Sequence, residues 1–167
     1  RIKLSLTAMR PNIDEFIHTL RRQPARYVPL AELGIHPTIK ERFLGRPIRT
    51  LADEVTFWNG AGYDYVKLQP AVDFDPGKAA KSQITIVSPE GTVTRKWAAE
   101  GSGVIADEKS LAAYRFPAPS DFDYSRFEQV RPLLPEGMGV IGQYGDIFTM
   151  TWEMMGFEAF SIALFEN

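Results

Sequence analysis

The chain contains no cysteine, and only two of its 167 residues, His18 and His36, are histidines. Disulfides, cysteine nucleophiles and a metal site built from several histidines are therefore excluded for these residues. An excess of one charge is also lacking, since 19 basic residues stand against 21 acidic residues. The resulting net charge of -2 gives no general attraction to nucleic acid or to an anionic membrane.

Long hydrophobic runs are lacking as well. No apolar stretch approaches the ~20 residues that a membrane span requires. The opening RIKLSLTAMRPN has neither the long apolar core nor the cleavage site of a signal peptide. These features predict a cytoplasmic protein that binds neither nucleic acid nor membrane. What is present, 44% hydrophobic and 24% charged residues, is ordinary for a folded domain.

Capping residues and apolar periodicity predict several helices in the first third of the chain. Asn12 and Glu15 have the spacing of a capping box before a run that is apolar at every third or fourth position. A short helix is predicted over 36–45. The next helix begins at Thr50, with Asp53 as its capping partner. In the second half, helices are predicted at 106–114, 121–137, 147–155 and 157–167. Pro132 is expected to end or kink the second of these, and Asp146 to cap the third.

Strands are predicted between these helices. The first begins near Tyr27 within RYVPLAELG, the second covers 63–70 and the third covers 138–143. Strands that alternate with helices favour a parallel sheet. Residues 83–97 differ, because two β-branched runs flank the turn sequence SPEG. They predict a hairpin that projects from the sheet and adds no strand to it.

Four stretches carry a family resemblance: FIHTLRRQPARYVPLAELGIHP, TLADEVTFWNGAGYDYVKLQP, GSGVIADEKSLAAYRFPAP and GVIGQYGDIFTMTWEMMGFEAF. Their order and spacing resemble the uroporphyrinogen decarboxylase superfamily from about residue 11 to residue 167. The resemblance implies a (β/α)₈ barrel whose site lies at the carboxyl ends of the strands. Residues 1–167 would form one partial domain, with about the first three βα units and an inserted hairpin. The carboxyl-terminal half of the barrel is then a required partner, and a homodimer is left open.

The resemblance implies two activities on a small-molecule substrate. One is a carboxy-lyase of tetrapyrrole biosynthesis that needs no metal or cofactor, because a protonated pyrrole carbon accepts the electrons released with CO₂. The alternative is a methyltransferase that moves a methyl group between a corrinoid protein and a thiol. It would use zinc held by His and Cys ligands outside this chain. A third hypothesis is a catalytically inactive fragment or binding module.

Two departures from the decarboxylase pattern bear on the substrate. The decarboxylases carry an arginine cluster after the first strand, which holds the carboxylates of the porphyrinogen. Here that segment reads AELGIHP and contains no arginine. They also carry an aspartate at the end of the second strand, where this chain reads KLQPAVDFD. We therefore expect weak or no turnover of uroporphyrinogen by the full-length protein.

Candidate site residues are those that follow the predicted strands. After the first strand, Glu32 and His36 could act as a base and its orienter, or could form an ion pair and a helix start. After the second strand come Gln69 and Asp73, which a polar loop would also explain. The predicted catalytic groups here are Glu32 and Asp73, with His36 and Gln69 as substrate-binding residues.

Gln143, Tyr144 and Asp146 follow the third strand. Tyr144 is a predicted catalytic residue that would hydrogen-bond a substrate oxygen. Gln143 and Asp146 are predicted to bind substrate, although Asp146 has an adequate structural task as a helix cap. No metal ligand is predicted in this chain.

Overall fold

The computed structural model describes residues 10–72, 81–88, 91–98 and 103–166, with 81–88 and 91–98 described through their backbone pairing. The chain divides into two compact units. The first unit contains residues 10–71 and 123–143. The second unit contains the described residues of 72–122 and 144–166. Asp73, one of the predicted catalytic residues, lies outside the described residues.

Within these ranges the chain forms seven α-helices and four β-strands. The helices are α1 (Ile13–Leu20), α2 (Pro37–Leu44), α3 (Leu51–Gly60), α4 (Glu108–Ala113), α5 (Ser125–Val130), α6 (Ile147–Met155) and α7 (Phe157–Glu166). The strands are β1 (Tyr65–Leu68), β2 (Lys81–Ser88), β3 (Gly91–Ala98) and β4 (Gly139–Gly142). Two short 3₁₀ turns lie at Pro119–Asp121 and Arg131–Leu133. Among the described helices, none combines the length and the apolar character that crossing a membrane takes.

A parallel pair of strands forms the sheet of the first unit. β1 pairs with β4 in a register that sets Tyr65 opposite Gly139 and Leu68 opposite Gly142. The ladder continues beyond the strands, because the N–H of Gln143 donates to the carbonyl of Leu68 at 3.0 Å. The parallel pairing of the second and third predicted strands is thus confirmed. Two strands do not test a (β/α)₈ barrel, which stays a proposal.

Aromatic and aliphatic side chains of α3, β1 and α5 form the core of the first unit. Trp58, Val66 and Val130 are at most 1% exposed. Full burial of a large apolar side chain contributes roughly 1.5–3 kcal/mol. Since β1 has the burial pattern of a nearly covered strand, with Lys67 as its one half-buried residue, this core holds the strand from both faces.

The predicted strand near Tyr27 is wrong, because residues 26–34 form no ladder hydrogen bonds in the structure. Pro29 lacks an N–H group, and side chains take donors that a neighbouring strand would have used. The N–H of Glu32 donates to the Tyr65 hydroxyl at 3.1 Å, and the N–H of Leu33 donates to the carboxylate of Glu32 at 2.9 Å. The segment therefore runs beside β1 as an irregular loop.

The predicted capping box of α1 is also wrong. Asn12 does cap the helix by accepting from the N–H of Asp14 at 3.1 Å. Glu15, however, accepts from the backbone N–H of Arg26 at 2.7 Å and from its guanidinium at 2.6 Å. These two contacts, the backbone one first, lower the pKa of Glu15. An acid expected to close the helix end instead fixes the chain that leaves the other end of the helix.

The helix starts predicted at 36 and 50 are confirmed. His36 caps α2, and Gly45 ends this helix with φ of 69°, a left-handed conformation that glycine adopts without strain. At α3, Thr50 and Asp53 form a complete capping box. The helix break predicted at Pro132 is also confirmed, since α5 passes into a 3₁₀ turn there and Pro132 has no N–H to continue the helix. The helix begins at Ser125, four residues later than predicted.

The second unit contains the hairpin and the last two helices. β2 and β3 pair antiparallel from Lys81 opposite Ala98 to Ser88 opposite Gly91, so the predicted hairpin pairing is confirmed. The turn residues 89–90 lie outside the described residues, and the projection of the hairpin stays a prediction. In α7, Phe160 is buried and contacts Phe148 with ring centroids 5.2 Å apart.

Candidate functional site

The carboxyl ends of β1 and β4 bring two predicted site residues to neighbouring positions in the first unit. Gln69 directly follows β1 and Gln143 directly follows β4. The strands are parallel and in register up to Leu68 and Gly142, so the two glutamines begin at the same edge of the sheet. Gln69 is exposed and Gln143 is half-buried. In parallel sheets this edge is where ligands bind.

A groove that we call the Glu32 groove opens beside this edge, with a volume of about 320 Å³. It is lined by Phe16, Ala31, Glu32, Leu33, Tyr65, Lys67, Ile141, Gly142 and Gln143. The groove unites two predicted residues, Glu32 and Gln143, that lie far apart in the sequence. The carboxylate of Glu32 is oriented by its own loop, since Oε1 accepts from the N–H groups of Leu33 at 2.9 Å and Gly34 at 3.4 Å.

A second groove, which we call the Gln69 groove, has a volume of about 270 Å³. Its lining residues are Leu33, Gly34, Ile35, Lys40, Glu54, Trp58, Lys67, Leu68, Gln69 and Arg126. Leu33 and Lys67 line both grooves, so the two grooves adjoin along these side chains. The polar groups at the strand ends are therefore divided between two neighbouring spaces.

One ion pair in the Gln69 groove has a structural task. Lys40 Nζ lies 2.8 Å from Glu54 Oε2, and both side chains are largely covered. Trp58 Nε1 donates to the same oxygen at 3.2 Å, and the Lys40 ammonium lies 5.3 Å from the centroid of the Trp58 ring. These contacts satisfy both charges and tie α2 to α3.

Lys67 is the site residue that sequence reasoning missed. Desolvation by the surrounding strand and helices lowers the pKa of Lys67, the neighbouring Lys40 lowers it further, and Glu32 opposes the shift. Its signal in the sequence was a lysine within the otherwise buried run YVKL. Since a charged residue in such a run must reach a groove or a partner, this signal was available.

His36 lies at the start of α2, as predicted, and caps this helix. Its Nδ1 accepts from the N–H of Thr38 at 3.3 Å, and the side chain is exposed at the start of α2. The role predicted for His36, to orient the carboxylate of Glu32, stays a prediction.

Tyr144 and Asp146 belong to the second unit. The Tyr144 ring packs edge-on against Phe122 at 5.2 Å, and burial, followed by the nearby Tyr114, raises the pKa of Tyr144. Asp146 caps α6, because its Oδ1 accepts from the N–H of Thr149 at 2.7 Å. The contact with Thr149 supports the capping role of Asp146. The catalytic role of Tyr144 and the substrate-binding role of Asp146 stay predictions.

A larger groove, of about 560 Å³, lies at the amino ends of β1 and β4 and is lined by Arg10, Pro11, Asn12, Arg26, Tyr27, Glu136 and Gly137. Its cations have partners in the chain. Arg26 pairs with Glu15 at 2.6 Å, and the exposed Arg10 lies 3.9 Å from Glu136. The amino end of a parallel sheet usually serves stability, so we assign the functional site to the two smaller grooves.

Across the described ranges, no group of three or more His, Asp or Glu side chains is arranged to hold a metal ion. Comparison of the chain with protein-family models, with curated proteins and with solved structures found no match.

Proposed function

We propose that this chain is the amino-terminal part of an enzyme of the uroporphyrinogen decarboxylase superfamily, with its substrate site at the carboxyl ends of β1 and β4. The supporting observation is the parallel register that sets Gln69 and Gln143 at one sheet edge beside Glu32. A (β/α)₈ barrel needs this arrangement from two successive strands. Gln69, Gln143 and Glu32 would then lie at the carboxyl end of the barrel strands, where barrel enzymes bind their substrates.

The Glu32 groove supports a small-molecule substrate. It is mostly apolar, and its polar side chains are those of Glu32, Lys67, Gln143 and Tyr65. Such a groove holds the body of a ligand by burial and orients it through a few polar contacts. In the proposed lyase, Glu32 exchanges a proton with the substrate and Gln143 binds a substrate oxygen.

Methyl transfer is the second candidate, and the pairing of Arg26 favours it. A porphyrinogen substrate needs free guanidinium groups, whereas Arg26, in the loop that follows α1, is committed to Glu15. Methyl transfer to a thiol needs no such clamp. The described residues offer no set of zinc ligands, and the chain has no cysteine, so we assign no step through zinc to these residues.

Two assays of the full-length protein test the proposal. One follows conversion of uroporphyrinogen to coproporphyrinogen, and the other follows demethylation of methylcobalamin in the presence of a thiol by its absorbance. We expect little or no coproporphyrinogen. Whichever reaction proceeds should lose about tenfold or more in kcat/KM on Glu32→Gln or Gln143→Ala, since each removes a substrate contact worth about 1.4 kcal/mol or more.

Lys109→Gln serves as the control, because Lys109 is exposed on α4 in the second unit. Turnover that both groove variants leave unchanged would remove the site from this groove. The absence of turnover in both assays would contradict the proposed function.

A further inference from the structure

We propose that the Gln69 groove is an anion-binding site in which Lys67 and Arg126 hold a carboxylate of a small-molecule ligand. In taking this ligand to be the substrate, the inference rests on the proposed function. The site itself rests on the charges and contacts of the groove.

The groove has an excess of positive charge that its own residues do not neutralise. Three cations line it, Lys40, Lys67 and Arg126, against the single carboxylate of Glu54. Glu54 is already engaged, since it pairs with Lys40 and accepts from the Trp58 indole. In the described part of the chain, Lys67 and Arg126 form no ion pair. Two of the three cations that line the groove, Lys67 and Arg126, are therefore without an ion-pair partner among the described residues.

Lys67 lies in a half-buried position, where its positive charge is only partly solvated. The residue lies within β1, half-buried between Val66 and Leu68, which are 0% and 2% exposed. Glu32 attracts the Lys67 ammonium across the adjoining groove, but among the described residues the two side chains form no ion pair. A partly desolvated ammonium without a direct partner gains from contact with an anion. The lowered pKa of Lys67 reflects the same environment. The positive charge of Lys67 therefore favours the binding of a carboxylate in this groove.

The donors around the groove suit a carboxylate. Lys67 and Gln69 are two positions apart at the end of β1, a spacing that directs both side chains to one side of the sheet. Arg126 reaches the same groove from α5. A guanidinium binds a carboxylate through two parallel N–H groups, while an ammonium and an amide add single donors. The volume of about 270 Å³ accommodates a small ligand group.

The absence of arginine from AELGIHP therefore does not leave the site without cations. Lys67 from β1 and Arg126 from α5 supply the positive charge from other elements. A ligand bound there adjoins Glu32, because Lys67 lines both grooves. The two grooves together then form one site, with an anionic end in the Gln69 groove and the reacting end in the Glu32 groove.

Binding of succinate to the full-length protein tests the inference, with neutral succinamide as the matched ligand. By isothermal titration calorimetry, we expect succinate to bind and succinamide not to bind. Lys67→Met and Arg126→Gln should each weaken succinate binding about tenfold or more, since each removes a charge-assisted hydrogen bond. Lys109→Met and Arg21→Gln remove exposed cations outside both grooves and should leave binding within about twofold. Lys67→Arg, which keeps the charge, should retain binding and covers the case in which Lys67→Met fails to fold.

Equal binding of succinate and succinamide would overturn the anion site, as would succinate binding that Lys67→Met and Arg126→Gln leave unchanged. No detectable succinate binding to the folded wild-type protein would overturn it too. The proposed function fails independently. If succinate binds with the expected dependence but neither turnover assay responds, the anion site stands and the enzyme proposal falls.

Discussion

The phenolic hydroxyl of Tyr27 donates a hydrogen bond of 2.7 Å to Oδ1 of Asp64. The same oxygen accepts from the backbone N–H of Asn12 at 2.7 Å, and Asp64 is 3% exposed. One carboxylate thus joins the start of α1, the loop after α1 and the residue before β1. Burial, followed by this contact, raises the pKa of Tyr27 and so favours the protonated hydroxyl that donates the hydrogen bond.

We expect Tyr27→Phe to lower the free energy of unfolding by about 1.5 kcal/mol, since it removes a hydrogen bond to a buried carboxylate and leaves one acceptor site empty. Chemical denaturation of the full-length protein measures this change. Tyr63→Phe is the matched control, because the Tyr63 ring packs against Trp58 and Tyr65 and its hydroxyl makes no hydrogen bond in the described ranges. Equal effects of the two variants would contradict the role of the Asp64 contact.

The capping box of α3 predicts a pH dependence of stability. The carboxylate of Asp53 accepts from the N–H of Arg49 at 3.0 Å, from the guanidinium of Arg46 and from Thr50. These contacts hold the pKa of Asp53 well below its usual range, with the Arg49 N–H as the largest cause. A carboxylate with a depressed folded-state pKa contributes stability above its unfolded-state pKa, near 3.9, and loses this contribution as the pH falls below that value.

Asp53→Asn should therefore destabilise the protein at pH 7, and the difference from the wild type should shrink as the pH falls below about 4. Thermal unfolding from pH 7 to pH 3 checks this convergence. Asp14→Asn is the control, because Asp14 is an exposed residue in the first turn of α1 whose carboxylate makes no hydrogen bond in the described ranges. A difference between wild type and Asp53→Asn that stays constant with pH would contradict the prediction.

The close approach of β4 to α1 predicts a steric effect at Gly139. A Cβ atom on Gly139 would lie 2.7 Å from Ile13 Cδ1, closer than carbon atoms normally approach. Gly139→Ala should cost about 1–3 kcal/mol of stability through this overlap. Ile13→Ala in the same chain should recover part of the loss, and a double-mutant cycle measures the coupling. Gly34→Ala is the control, since a Cβ at Gly34 would meet no atom within 4 Å. Additive effects of the two substitutions would argue against the contact.

Local signals predicted the parts of the fold that depend on neighbouring residues. The caps Thr50 and Asp146 were readable because a helix start needs a side-chain acceptor beside the first N–H groups. The strand predicted near Tyr27 failed because its donors found side-chain partners distant in the sequence, Glu15 and Tyr65. No periodicity within the segment reveals such partners.

The candidate site likewise contains residues that could be predicted from local patterns and residues that could not. Gln69 and Gln143 were predictable, because residues that follow parallel strands share a sheet edge. Lys67 and Arg126 were not brought together by any local pattern, since their proximity depends on how α5 lies against β1. Local sequence patterns do not predict which distant elements lie close together, and this part of the site therefore could not be predicted.

The last helix leads to a prediction about the chain in isolation. Of the apolar face that the sequence assigned to α7, Phe160 is buried, while Phe157 is 50% and Leu164 is 64% exposed. Ile147 and Phe165 in the same unit are 88% and 92% exposed. Apolar side chains exposed to water in this number favour association. An unpaired strand edge does the same, and among the described residues β4 pairs only with β1.

We expect the 167-residue chain, expressed alone, to self-associate or aggregate, and to become better behaved when the rest of the proposed barrel is supplied. Size-exclusion chromatography with light scattering measures the mass of the particle. Leu164→Lys with Phe165→Lys should shift the chain toward the monomer, because the two substitutions remove exposed apolar surface. Glu166→Gln raises the charge of the same helix end by one without changing its apolar surface, and should leave the association in place. A stable, monodisperse monomer with a cooperative thermal transition would contradict the half-barrel and would require a self-contained α/β fold.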